Sequence, residues 1–272
     1  MSFEGKTVWI TGASSGIGAE LALQVSASGA NVILSGRRQN ALKDVAGQCS
    51  GDTLVLPFEG TDYAALEAVV ENAIAWRGGV DILVNNAGVS QRSLAVETEF
   101  SVYKNLMEIN FFAPLRLTQL VLPHMMARRE GHIAVTSSVA GRVGPPLRSG
   151  YAASKHACCG YFEALRSEIE KAYSISVSVI IPGFVQTSIA ENALTASGAQ
   201  RGQSDPNIEN GMPVEEAVQK ILAGLQNQDR EIIVANGIEA EALRLRNTDS
   251  ATLHETLAAF GEQSVATVLN GD

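Results

Sequence analysis

The chain has 272 residues, 46% hydrophobic and 18% charged, enough for one large folded domain with its own core. A formal net charge of −9 argues against nucleic acid or an anionic membrane surface as a partner. No apolar run reaches the ~20 residues that a membrane span requires, and M1-S-F-E-G-K-T has no apolar signal core. A cytoplasmic protein without a membrane anchor is the expectation.

Seven short runs, apolar and rich in β-branched residues, predict strands: T7-V-W-I-T11, N31-V-I-L-S35, T53-L-V-L-Pro57, D81-I-L-V-N85, H132-I-A-V-T136, S176-V-S-V-I-I181 and E231-I-I-V-A235. The segments about 16–28, 38–48, 62–76, 100–129, 150–173 and 213–227 read as helices. Strand–helix alternation implies right-handed βαβ units. The predicted fold is α/β: a Rossmann-type, doubly wound, seven-stranded parallel sheet flanked by helices. Ligands bind such sheets beyond the carboxyl ends of the strands, so the residues that follow each strand carry the functional reading.

The first strand runs into T11-G-A-S-S-G-I-G18. Gly12, Gly16 and Gly18 let the backbone turn tightly and approach a pyrophosphate, with Ser14, Ser15 and Ile17 completing the turn. The helix that follows offers free N–H groups to the anion. A plain tight turn is the alternative.

The second strand ends in S35-G-R-R38. A carboxylate there would hold the ribose hydroxyls of NAD. Its absence, with Arg37 and Arg38 in its place, points to a 2′-phosphate and hence to NADP(H). Two solvated arginines at a helix start are the bland reading.

The fourth strand ends in N85-N-A-G88, where Asn86, Ala87 and Gly88 can hold backbone close to a cofactor. The fifth ends in T136-S-S138, and the Ser138 hydroxyl is placed to donate to a substrate oxygen. Then comes G150-Y-A-A-S-K155. On a helix, positions i and i+4 share a face, so Tyr151 and Lys155 point into one volume. An ammonium beside a phenol favours the phenolate, which equips such a pair for general acid/base work. Y-x-x-x-K is short enough to arise by chance, so it gains weight only in company. After the sixth strand, Pro182, Gly183, Val185 and Thr187 lie in a run that can fold over a nicotinamide.

These motifs, occurring together and in order over about residues 5–236, resemble the short-chain dehydrogenase/reductase family. N85-N-A-G-V-S-Q-R-S93, L122-P-H-M-M-A-R-R-E-G-H132 and Y151-A-A-S-K-H156 resemble its member 7-like branch. The resemblance implies that Ser138 orients the carbonyl and that Tyr151 moves the proton. It also implies that Lys155 holds the nicotinamide ribose and that Asn110 anchors a water in a proton relay. Relatives in this branch are generally NADP-linked and often act on lipidic ketones or alcohols; many carry an N-terminal anchor that this chain is read as lacking.

Two departures stand out. Glu59 occupies the place after the third strand where an aspartate usually meets the adenine, and Ser15 the place where many NADP-preferring members carry a basic residue.

Residues 1–236 are expected to form one dinucleotide-binding and catalytic domain. Segment 187–212 is too long for a simple connection and reads as a substrate loop. Residues 237–272 form a helical extension, for which two destinations fit: the mouth of the site or an oligomer contact. Phe111 and Phe112 read as core. Ala153, Ala157, Gly160 and Ala164 make a small-residue stripe that suits either intrachain packing or a second helix; with the resemblance, it implies a homodimer or homotetramer. Cys49, Cys158 and Cys159 show no metal spacing and read as buried free thiols; the four histidines do not cluster, so no metal is expected.

The expected function is NADP(H)-dependent hydride transfer between a ketone or aldehyde and an alcohol, on a small-molecule substrate. The alternative from another class is an NADP(H)-binding sensor or scaffold with vestigial chemistry. A sugar-nucleotide epimerase fits less well, for want of a separate sugar-binding domain.

Overall fold

The computed structural model describes residues 1–270. Seven strands form a single parallel sheet: β1 Thr7–Thr11, β2 Asn31–Ser35, β3 Thr53–Val55, β4 Ile82–Asn85, β5 Gly131–Thr136, β6 Ile175–Pro182 and β7 Glu231–Val234. Their order is β3-β2-β1-β4-β5-β6-β7. The chain winds outward from β1 in one direction and then, from β4, in the other. The crevice of such a sheet lies at this switch, between β1 and β4.

The helices are α1 Gly16–Ala27, α2 Gln39–Ala46, α3 Leu66–Ala75, α4 Phe100–Met107, α5 Ala113–Arg128 and α6 Ser149–Tyr173. They continue with α7 Pro206–Glu209, α8 Val214–Asn227, α9 Gly237–Thr248 and α10 Ser250–Asn270. Alternate residues of each central strand feed opposite layers, as the strand period requires. Val8 and Ile10 of β1 pack with Leu21 of α1, Leu42 of α2 and Ile221 of α8. Trp9 packs on the other face, in a layer shared with Val70 of α3, Val121 of α5 and Phe162 of α6. The edge strands depart from the doubly buried pattern. All three residues of β3 are only half-buried, and β7 alternates exposed and buried, because each has one neighbour and an open flank.

The predicted helix over 100–129 is broken. A π-helical turn, Glu108–Phe112, separates α4 from α5. Pro114, the second residue of α5, has no N–H to donate, which agrees with a local distortion at this point. The turn carries Asn110 inward and Phe112 outward. Phe112 is 42% exposed, so only Phe111 of that pair joins the core, against Tyr161.

The small-residue stripe of α6 also faces outward. Ala153, Gly160 and Ala164 are exposed and Ala157 is half-buried, while Cys158, Phe162, Leu165 and Ile169 take the sheet-facing side. The cysteines are unpaired; Cys158 and Cys159 are buried, and Cys49 only half-buried. Among the described residues, no helix is long and apolar enough to cross a membrane, and no group of side chains has metal-ligating geometry.

Candidate active site

A cavity of about 590 Å³ opens at the carboxyl ends of β1, β4, β5 and β6. Every expected site residue except Gly18 and Asn110 lines it, and those two stand directly behind its wall. Its two ends differ in character.

At one end the turn after β1 lies against the turn after β4. Thr11 organises both: its hydroxyl accepts the N–H groups of Asn86 (3.0 Å) and Ala87 (3.1 Å), and its carbonyl accepts Asn86 Nδ2 (3.1 Å). Gly12 has φ of +66°, and a Cβ there would come within 2.8 Å of Ala87 Cα. A side chain on Gly18 would strike the Gly12 carbonyl and the Asn86 amide. The chain thus needs glycine here for contact, not only for conformation. Gly16 lies against Thr187, which brings the run after β6 over the same turn. Ser15 precedes α1 in extended conformation and makes no side-chain cap, so the first amides of α1 keep free donors facing this space.

Arg38 folds back over that turn, donating to Ser14 Oγ (3.0 Å) and Ser15 Oγ (2.7 Å). Arg37 lies 3.6 Å from the Glu59 carboxylate, and Thr61 donates to the same side chain. The Arg37–Glu59 pair is exposed, so it is worth at most about 1 kcal/mol and yields readily to a stronger anion.

At the other end Tyr151, Lys155 and Ser138 come together, all buried. Lys155 Nζ donates to the Thr136 carbonyl at 2.7 Å and stands 5.8 Å from the centre of the Tyr151 ring. Ser138 Oγ donates to the Pro182 carbonyl (3.3 Å) and accepts the Ala140 N–H (3.1 Å). Asn110 holds the wall behind them. Its amide donates to the Val89 carbonyl and to Ser154 Oγ, both at 2.9 Å, and its Oδ1 accepts the Val89 N–H at 2.9 Å. A side chain on Gly88 would crowd Asn110 Oδ1 (3.0 Å) and Lys155 Nζ (3.2 Å), so these three residues form one close-packed corner.

Four residues at this end escaped the sequence reading of roles. Gln91 is fully buried, and its Oε1 accepts the N–H groups of Gly150 (2.8 Å) and Tyr151 (3.2 Å), capping the first turn of α6 from a different segment. Its amide donates to Ser93 Oγ (3.0 Å) and Thr98 Oγ1 (3.1 Å). Arg92 and Arg148 line the cavity, and Arg92 is paired with Asp205 of the 187–212 segment. Glu239 reaches in from α9 and accepts the Phe184 N–H; burial pushes its carboxyl up to about 7. Gln91 and Arg92 sit in S90-Q-R-S93, right after N85-N-A-G88, and Arg148 stands three residues before Tyr151. That adjacency was the available signal. Nothing local marks Glu239.

Segment 187–212 is ordered by backbone bridges. Leu194 exchanges N–H bonds with the 90–92 backbone, and Val185 pairs with Met212. It therefore leans directly on the residues that cap α6.

Residues 6–197 match the model of a family described as short chain dehydrogenase. Over 235 residues the chain is 40% identical to the human protein "Dehydrogenase/reductase SDR family member 7", covering 84% of this chain and 69% of that one. In fold it is similar to a short-chain dehydrogenase/reductase from Burkholderia phymatum solved in complex with NAD, with a TM-score of 0.79, 24% identity, and 92% and 95% of the two chains covered. It is equally similar to a short-chain dehydrogenase from Burkholderia cenocepacia solved in complex with NADP, with a TM-score of 0.79, 24% identity, and 94% and 99% covered. The chain is a member of the short-chain dehydrogenase/reductase family of oxidoreductases, in its member 7-like branch.

Proposed function

We propose that the protein is an NADP(H)-dependent oxidoreductase that interconverts a ketone or aldehyde with an alcohol. One observation carries this reading: Ser138, Tyr151 and Lys155 share a single cavity with the glycine turn and its two arginines.

The residues fit the dinucleotide. Gly12 and Gly18 let the turn after β1 pack against Asn86 and Ala87 and stay narrow at the cavity wall, and the uncapped N-terminus of α1 suits a pyrophosphate. Arg37 and Arg38, with Ser14 and Ser15, supply donors for a 2′-phosphate. When bound, the nicotinamide supplies or accepts the hydride at C4.

The protein's own groups do the rest. Ser138 donates to the carbonyl oxygen and holds it beside the Tyr151 hydroxyl. Tyr151 delivers a proton to that oxygen in reduction and removes it in oxidation. The Lys155 ammonium, anchored on the Thr136 carbonyl, stabilises the negative charge that Tyr151 acquires and binds the nicotinamide ribose. Asn110 keeps the corner beside Lys155 in shape, and in this reading its carbonyl holds the relay water. Pro182, Gly183, Val185 and Thr187 cover the nicotinamide face, Glu59 flanks the adenine, and segment 187–212 covers the substrate. The functional unit is a homodimer or homotetramer joined through the outward stripe of α6.

The test is NADPH oxidation against a panel of aliphatic, aromatic and dicarbonyl ketones, with Tyr151→Phe alongside. Turnover in the wild type and none in the variant is expected, with NADPH binding intact in both. Tight NADPH binding without turnover of any ketone would favour the sensor reading.

A further inference from the structure

The substrate end of the cavity carries more positive charge than its own residues neutralise. Arg92 and Arg148 both line it beside Tyr151, with side chains only 10% and 15% exposed. One carboxylate, Asp205, stands behind them, 11% exposed. It is ion-paired with Arg92 and also accepts the Asn207 N–H at 3.0 Å. Arg148 Nη2 lies 3.5 Å from the same oxygen of Asp205, at the outer limit of a hydrogen bond. The remaining donors of Arg148 have no partner among the described residues; its guanidinium rests over the Phe184 ring, 5.5 Å from the centre.

Nearby groups do not restore the balance. Arg201 donates to the carbonyls of Gln203 and Ser204 and adds its charge to the neighbourhood of Arg92 and Asp205. Glu239 is held by the Phe184 N–H and ionises only near neutrality. The dinucleotide's phosphates belong at the glycine turn and at Arg37 and Arg38, after β1 and β2. Arg148 follows β5 and Asp205 follows β6, on the opposite side of the switch.

Arg148 is also aimed. Leu147 adopts a left-handed backbone (φ 62°), unusual for a branched side chain, and its carbonyl accepts the Ser93 N–H at 3.1 Å. That turn sets the guanidinium at the head of α6, three residues before Tyr151. A desolvated cation without a full partner is unfavourable until an anion meets it.

The geometry points to a substrate that carries a carboxylate, an oxo acid or the matching hydroxy acid, whose anionic group is received by Arg148 and Arg92 while its carbonyl lies against Ser138 and Tyr151. This rests on the oxidoreductase reading above. The planar, two-oxygen carboxylate matches the flat fork of donors that Arg148 leaves unpartnered.

The experiment measures binding to the NADP⁺-saturated protein by calorimetry. The probes are aliphatic oxo acids of increasing chain length, each beside its methyl ester, and one phosphate-bearing ketone. At least one acid is expected to bind about 10- to 100-fold more tightly than its ester, the range of a charge-assisted hydrogen bond. Arg148→Met should bring that ratio close to unity, and Arg148→Lys should retain part of it. Arg148 is the better residue to change, because removing Arg92 strands the buried Asp205 and risks misfolding. Equal binding of acid and ester overturns the proposal. So does a preference that Arg148→Met leaves untouched, or tighter binding of the phosphate-bearing ketone. Turnover of neutral ketones without acid preference sinks this inference alone, whereas failure to bind NADP⁺ sinks the reading beneath it as well.

Discussion

The N–H of Tyr151 donates to the side-chain oxygen of Gln91, 3.2 Å away, and the N–H of Gly150 donates to the same atom at 2.8 Å. The first turn of α6 is thereby tied to the segment that follows β4. Gly150 permits the approach: a Cβ there would lie 2.8 Å from Leu106 and Tyr103 and 3.0 Å from Gln91 itself. Gln91→Leu leaves two buried donors unmet, and stability in urea should fall by about 1–3 kcal/mol. If the cap also sets the position of Tyr151, kcat should fall while KM for NADPH holds. A parallel loss in both would assign Gln91 to general folding only.

The two arginines after β2 should separate by cofactor. Arg37 is exposed and touches only Glu59, so Arg37→Ala should raise KM for NADPH about 10- to 100-fold and leave NADH unaffected. Arg38 also braces Ser14 and Ser15, so Arg38→Ala should weaken both cofactors. Steady-state kinetics with each cofactor distinguishes the two.

Gly160 lies on the outward face of α6 with nothing within 4 Å of an added Cβ. Replacing a helix-interior glycine by arginine gains up to about 1 kcal/mol of helix propensity. Gly160→Arg should therefore leave the monomer as stable as before, or slightly more so, while light scattering shows loss of the proposed oligomer. An unchanged mass would remove this face from the interface.

Two buried groups give stability opposite pH slopes. Glu239 is raised to about 7, so it contributes stability below the unfolded carboxyl range that is lost as pH rises through 7. The full swing is about 3 kcal/mol. His132, donor or acceptor to Ser178 Oγ at 2.8 Å, is lowered by burial to about 4, so its contribution is present above the free histidine range and lost as pH falls through 4. Because the slopes oppose one another in mildly acid solution, the difference between wild type and Glu239→Gln is the useful curve. It should favour the variant increasingly from pH ~5 to ~8. A flat difference would mean that Glu239 is ionised at no cost.

The parallel sheet was legible because its central strands are buried on both faces and therefore apolar throughout. The glycine turn, Ser138, Tyr151 and Lys155 were legible because each follows a strand or starts a helix, where short spacing translates directly into geometry. What escaped was side chain reaching across the fold. Gln91 acts on a helix that begins at Ser149, Arg92 on Asp205, and Glu239 on Phe184. None of these pairs has a periodic signature, and the contacts exist only once the chain is folded. Phe112 was misjudged on residue type alone: a large apolar side chain reads as core, yet in the fold it is 42% exposed.

The π turn at Glu108–Phe112 also holds one residue more than an α-helical turn does. Deleting one residue between Glu108 and Phe112 would let ordinary helical pairing run unbroken from α4 into α5. The wide turn already absorbs that residue, so Leu117, Val121 and Met125 would keep their place against the sheet. The loss would be local: Asn110, which sits inside the turn, would leave Val89 and Ser154. The segment is a slack link that swings one polar side chain into the cavity wall while both flanking helices keep their faces.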